Sequence, residues 1–427
     1  MSRKSIWGIS ASALFVALAV VFGISQWQTA RALEVTLNAA REKAYYSALD
    51  GLTNLQTDLG KVLIAESPGQ RALLLGHVAA LAVGVSENLS ALPPSYGADT
   101  DGMKFLAQTA DYALALATAA AEGRRLSDED ERQINQLREK CAELRRHLEN
   151  GAGFLYDDMP DAERVAGIDY PVLLYDGPFS DGIRVGKPRG LAGEAITPEQ
   201  ALAIGTAFLS AEQVGQAQRA PDTGGPMPAY GVQLALSDLS VTMAVTKEGG
   251  KVLWMAPETA GFIPYLVIDE CILHARAFLT SRGFGEMRES YYQMYDGIAV
   301  INFAAVQDGV ILYPDLVKIQ VRMDTGGVIG LEAGGYWMNH VVRERLHPRL
   351  PEQEARERVS DRLSISQVRL CVIPREDGLR GERIEALCYE FDGTYQGDRF
   401  LVYIDAETGD ELNVLKVVLG GEGILAI

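Results

Sequence analysis

The chain holds 427 residues, enough for more than one core at roughly 100 to 200 residues per domain. Hydrophobic residues make up 48% of it, which excludes a largely disordered protein. A formal charge of −18 excludes a nucleic-acid partner, which needs a basic stripe to displace counterions, and disfavours adhesion to anionic lipid or wall polymer.

An uncharged run extends from Ser5 to Ala30. Its core, Ile6 to Trp27, is long enough to cross a hydrocarbon layer of about 30 Å as a helix. Trp7 and Trp27 lie near its ends, where indoles rest at lipid headgroups. Residues 1–30 therefore read as a membrane anchor. The competing reading is a signal peptide with Arg3 and Lys4 as its basic start and Ala30-Arg31-Ala32 as its cleavage site. The length of the run and its unbroken passage into a helical pattern favour retention. Arg31, Arg41 and Lys43 on the far side balance Arg3 and Lys4, so local charge does not set the orientation.

Residues 31–152 follow a helical period. A first run uses Ala48, Leu52, Leu55, Leu59 and Val62 and stops at Ser67-Pro68. Ser67 with Gln70 forms a capping box for a second helix through Leu74, Val78, Leu81 and Val85, which Pro93-Pro94 ends. An alanine-rich third helix spans about Met103 to Glu122. Ser127 with Asp130 opens a fourth, with its seam at Ile134, Leu137, Cys141, Leu144 and Leu148. Short connections make neighbours antiparallel and predict an up-and-down bundle. A dimeric coiled coil is the alternative, because the same spacing describes a heptad seam.

Between 153 and 193 the period disappears, and residues 170–182 mix an apolar strand, a Gly-Pro turn and aromatics. Asp157, Asp158, Asp161, Asp169, Asp176 and Asp181 supply oxygen ligands without the regular spacing of a calcium loop, so this stretch reads as a solvated linker.

Beyond it the chain repeats itself. Short amphipathic helices open at Thr197-Pro-Glu-Gln-Ala201, Asp269-Glu270 and Pro351-Glu-Gln353. Strands follow at Tyr230–Leu236, Val241–Val245, Ala299–Ala304, Leu316–Met323 and Arg399–Ile404. Gly-containing hairpin turns come at Lys247–Gly250, Asp324–Gly327 and Asp405–Gly409. The spacing, on the order of 70 to 80 residues, predicts three α+β modules at 194–260, 261–345 and 346–427. In each, one helix covers the apolar face of an antiparallel sheet and leaves edge strands open. Cys371 and Cys388 fall on strands paired through a Gly378–Gly381 turn, which sets them opposite each other, either as a disulfide or as two small core residues.

No catalytic motif is present: neither HExxH, nor Gly-x-Ser-x-Gly, nor a phosphate loop, nor paired cysteine ligands. The histidines are dispersed, and Arg343 and Arg345 beside His340 and His347 would repel a cation. No catalytic residue, cofactor or metal is predicted. A pair of acids for glycoside hydrolysis is not singled out, because carboxylates are abundant.

Several segments resemble the YpeB family of spore germination proteins. They are Tyr170-Pro-Val-Leu-Leu-Tyr-Asp-Gly-Pro-Phe-Ser-Asp181, Ile301-Asn-Phe303, Gln307-Asp-Gly-Val310, Tyr313-Pro-Asp-Leu-Val-Lys318, Gly335-Tyr336 and Asn339-His340. The likeness covers most of the chain, and the three modules resemble PepSY domains. It implies a single-pass protein of the inner spore membrane, held through residues 6–27, with its bulk facing the cortex. It implies a non-enzymatic role in stabilising and regulating the cortex-lytic enzyme SleB, and cleavage of the chain by a protease during germination. The first and third modules fit the helix pattern loosely, which leaves the positions of partner contact open.

Contact surfaces are placed on Tyr170, Pro171, Tyr175, Asp176, Pro178, Phe179 and Asp181, and on Tyr313, Pro314, Asp315, Lys318, Asn339 and His340. The alternative is that these residues clamp the modules to one another. Two other functions compete with the partner role: a sensor for a small germinant, which needs a pocket with convergent polar groups, and a peptidoglycan-cleaving enzyme.

Overall fold

A computed structural model describes residues 3–92, 100–151, 187–209, 214–258, 261–376, 383–420 and 423–426. The chain forms two compact units, one helical and one built on a sheet.

In the helical unit the apolar N-terminal run lies in α1 (Arg3–Ile64), which continues without a break into the bundle. Ala48, Leu52, Leu55, Leu59 and Val62 are all buried, as their spacing predicts. α2 (Pro68–Ser90) starts where Ser67 Oγ accepts from the Gln70 amide at 3.4 Å. Among the described residues α2 is long and apolar enough to cross a membrane, yet its Leu74, Val78, Ala82, Val85 and Leu89 are buried in this unit. Asp58 of α1 meets His77 of α2 at 2.6 Å, and Gly51 lies against Val85, so the two helices run antiparallel. A Cβ at Gly51 would come within 2.5 Å of Val85 Cγ2; glycine permits that approach.

α3 (Thr100–Ala121) closes on Gly123 at φ +84°, with the Arg124 amide donating to the Ala119 carbonyl in Schellman fashion. α4 (Asp128–Gly151) opens on the predicted cap: Ser127 Oγ accepts from the Asp130 amide, and Asp130 accepts from the Ser127 amide and hydroxyl. Tyr45 of α1 donates to the Leu148 carbonyl of α4, and Tyr112 of α3 donates to Asp130. These links make the four helices an intramolecular bundle.

The sheet unit runs α5 (Pro198–Leu209), β1 (Gln216–Thr223), β2 (Ala229–Ala235), β3 (Ser240–Thr246) and β4 (Val252–Glu258). Next come α6 (Ile268–Ser281), β5 (Met287–Tyr295), β6 (Ile298–Gln307), β7 (Val310–Arg322), β8 (Val328–Glu332) and the short α7 (Gly334–Asn339). The last group is α8 (Glu352–Arg356), β9 (Ser364–Glu376), β10 (Arg383–Tyr395), β11 (Asp398–Asp405), β12 (Glu411–Gly420) and β13 (Gly423–Ala426). One helix followed by four antiparallel strands thus occurs twice and is followed by a short helix with five strands, and each predicted hairpin turn joins the third and fourth strands of its group.

The third helix starts where its sequence predicts and is five residues long, but one expectation needs correction: the sheets are not separate. All thirteen strands form one sheet ordered β1-β2-β3-β4-β8-β7-β6-β5-β13-β12-β11-β10-β9, and β7 pairs with β9 as well. Inner edges predicted to be open are spent on the joins β4–β8, β13–β5 and the parallel β7–β9. The cycle β7-β6-β5-β13-β12-β11-β10-β9 therefore closes on itself. α5 and α6 cover the core formed by β1–β8. The closed ring buries its own core of Tyr291, Ile311, Tyr313, Cys371, Cys388, Leu401, Tyr403 and their neighbours, so the last group needs little helix to cover it.

Cys371 and Cys388 are direct cross-strand partners on β9 and β10, as their spacing predicts. Both are buried free thiols, and burial holds each above the ordinary thiol range.

Candidate functional site

Tyr313, Pro314 and Asp315 explain how β7 serves two neighbours. Along the β6–β7 ladder Ala304 pairs with Leu316 and Ala305 with Leu312, so these three residues bulge out of register. Pro314 has no N–H to give a ladder, and a bulge is where a strand tolerates it. Before the bulge β7 pairs with β9; beyond it, with β8. The sheet forks here.

Asp315 is 0% exposed at the fork. Arg343 grips both its oxygens at 2.8 Å, and His340 Nδ1 lies 2.7 Å from Oδ2. The same guanidinium reaches Glu385 of β10 at 2.8 and 2.9 Å. Burial opposes the charge on Arg343, but Asp315 and Glu385 outweigh it and hold the group above its ordinary range. Gln307 closes the arrangement, its amide donating to the Arg343 carbonyl and accepting from the Arg343 N–H. Asn339 Nδ2 donates to the carbonyls of Pro314 and Gly335. His340 stacks on Tyr336 at 4.3 Å, and burial together with the Asp315 charge pushes the Tyr336 phenol up to about 12.

A second buried group is built on Tyr313 of the same bulge with residues of β9, β10 and β11. Tyr313 donates to Glu390 at 2.6 Å and Tyr403 donates to it at 2.9 Å. Arg369 pairs with Glu390, and Arg399 holds Asp392 through two nitrogens. Burial, and after it the Glu390 charge, holds both phenols well above their ordinary range.

The fork brings together Tyr313, Pro314, Asp315, Asn339 and His340. Lys318 stands apart beyond the bulge, opposite Glu332 on β8. Tyr170, Pro171, Tyr175, Asp176, Pro178, Phe179 and Asp181 lie outside the described residues. Arg343, Glu385 and Glu390 were not legible as partners, since each acts across strands distant in sequence. Gln307 had a signal in its place within the quoted Gln307–Val310 segment. Among the described residues no group of His, Cys, Asp and Glu is arranged to hold a metal ion. An Asp–His pair serves catalysis when the imidazole activates a nucleophile; here Arg343 already neutralises Asp315. The arrangement ties β7, the segment after α7 and β10 into one rigid junction.

Comparison with known proteins gives three family matches: "YpeB sporulation, PepSY1 and PepSY2 domains" at residues 163–346, "YpeB N-terminal" at 29–153, and "Peptidase propeptide and YPEB domain" at 349–415. A sporulation protein YpeB of Halalkalibacterium halodurans is 31% identical over 224 residues, covering 52% of this chain and 49% of that protein. Its counterpart in Bacillus subtilis is 30% identical over 181 residues, covering 42% and 39%. The chain spans half or less of the length of these curated relatives. Among solved structures, the Bacillus megaterium YpeB C-terminal domain aligns at 25% identity with a TM-score of 0.47, covering 53% of this chain and 100% of that one.

Proposed function

This chain belongs to the YpeB sporulation-protein family, and on that premise we propose that it is a membrane-tethered, non-enzymatic partner that stabilises and regulates the cortex-lytic enzyme SleB. Residues 6–27 anchor it in the inner spore membrane, with the sheet unit facing the cortex. The three successive helix-and-strand groups are three PepSY-like modules, and a germination protease ends the association by cutting the chain. One observation carries this reading: the Tyr313-Pro-Asp and Asn339-His340 segments are spent on holding the sheet fork, with Asp315 fully buried between Arg343 and His340. Residues so committed build a rigid surface rather than a reactive centre. The description of residues 349–415 as a peptidase propeptide domain adds support, since a propeptide is held against a hydrolase.

In this reading the buried and the half-buried residues play different parts. Tyr313, Pro314, Asp315 and Asn339 are buried and act as the clamp, while the half-buried Lys318 and His340 offer the contact to the partner. Spores lacking the gene should contain little SleB and degrade cortex slowly; unchanged SleB abundance overturns the proposal. Purified chain incubated alone with cortex fragments should release neither sugar nor peptide, and steady release would refute its non-enzymatic half.

A further inference from the structure

The closed ring of β5, β6, β7 and β9–β13 holds a cavity of about 160 Å³. Tyr291, Tyr313, Arg369, Arg399, Leu401 and Ile424 line it from β5, β7, β9, β11 and β13. Closed barrels commonly bind small molecules at such places, and 160 Å³ is well below the ~300 Å³ lower end for drug-sized ligands, so only a small molecule fits.

Two guanidinium groups reach this space, and each is fixed from behind by a buried carboxylate. Arg399 gives Nε and Nη2 to Asp392, which is 3% exposed. Arg369 Nη2 is ion-paired with Glu390, which is 0% exposed, and stands 3.7 Å from Asp392. Arg369 Nε is buried with no hydrogen-bond partner among the described residues, and Arg399 has Nη1 left beyond its two bonds to Asp392. Asp392 holds the Arg399 charge firmly in place, while Arg369 repels it, and an anion between them would relieve that repulsion. Glu289 is the acid among the lining residues, and Arg276 engages it. Leu401 and Ile424 supply an apolar wall.

We propose that this cavity binds a small organic carboxylate, with its oxygens taken by Arg369 Nε and Arg399 Nη1 and its apolar tail against Leu401 and Ile424. Paired guanidinium donors suit the two oxygens of a carboxylate, and the apolar wall selects an organic acid over an inorganic anion. The site stands whether or not the chain has a hydrolase partner.

The test is calorimetric titration of the full chain in detergent micelles with benzoate, benzamide and inorganic phosphate. Benzoate should bind saturably, at least tenfold more tightly than benzamide or phosphate. Ile424→Phe, which fills the cavity, should abolish binding. Arg369→Lys keeps the charge for Glu390 but loses the fork, and should weaken benzoate at least tenfold; it also serves if Ile424→Phe does not fold. The proposal fails if benzoate does not saturate, if benzamide or phosphate binds as tightly, or if folded variants bind benzoate as the parent does.

Discussion

The helical unit and the sheet unit both bury carboxylates, and they differ in how far along the chain the partners lie. Asp130 takes Ser127, Arg124 and Tyr112, at 3, 6 and 18 residues' distance. Asp315 is held by His340 and Arg343, at 25 and 28, and Arg343 extends a further 42 to Glu385. A cap is a local device, and losing it frays one helical turn. The fork joins strands from different hairpins, so losing it frees ladders on both sides. In this molecule, the cost of removing a buried charge should grow with the sequence distance it spans.

Arg343→Met is the strongest challenge to that contrast. It leaves Asp315 and Glu385 without their shared cation, and removing one partner of a buried pair costs about 3–5 kcal/mol. Amide hydrogen exchange on the full chain should show β7, β9 and β10 losing protection while α2 keeps it. Equal loss in both units would break the contrast. Glu390→Gln comes next, at about 1.5–3 kcal/mol for hydrogen bonds to a charged group. Because the Glu390 charge is the cause second to burial that raises the Tyr313 and Tyr403 phenols, both should ionise at lower pH in the variant. Alkaline titration by phenolate absorbance checks it, and an unchanged curve would deny Glu390 that influence.

The same distance rule governs what can be read from sequence. Spacing finds the buried stripe of α1 and the caps at Ser67 and Ser127, because each needs only residues three or four apart. Alternation and glycine turns likewise find the hairpins, and even the Cys371–Cys388 register, which lies within one hairpin. Ring closure leaves no such trace: β13 joins β5, and β7 joins β9, through two residue pairs each, between strands far apart in the chain. Arg343 reads locally as a charge that repels cations, and its role as a clamp appears only once β10 lies beside β7. Pro351-Glu-Gln353 is a sound helix start, but the ring already buries the strands that a longer helix would cover.

Asp130→Asn should cost about 1 kcal/mol, the usual value of a helix cap, and confine its effect to the end of α4. Burial opposes the Asp130 charge, yet hydrogen bonds from Ser127, Arg124 and Tyr112 outweigh it and hold the carboxyl below its ordinary value of 3.8. The stabilisation is therefore complete above the unfolded value and is lost as pH falls through the lower folded one. Thermal melts of the helical unit below about pH 4 should decline more steeply in the parent than in the variant. Parallel declines would show that Asp130 is not the titrating group.

Lys318→Met should have the smallest effect, below about 1 kcal/mol, because Lys318 and Glu332 form a cross-strand pair rather than part of the fork. Burial raises Glu332 above its ordinary 4.5, while its backbone hydrogen bond from Gly334 and the Lys318 charge restrain the rise. A raised acid contributes stability that is full below its unfolded pKa and is lost as pH rises through the folded one. Removing the ammonium lifts Glu332 further, so the variant should lose more stability than the parent between about pH 4.5 and neutrality, measured as melting temperature against pH. Lys318 is also a half-buried contact in the proposed partner surface. If capture of SleB falls while the melting temperature at neutral pH moves by only a few degrees, Lys318 acts at the surface; if capture is unchanged, the contact lies elsewhere on the sheet unit.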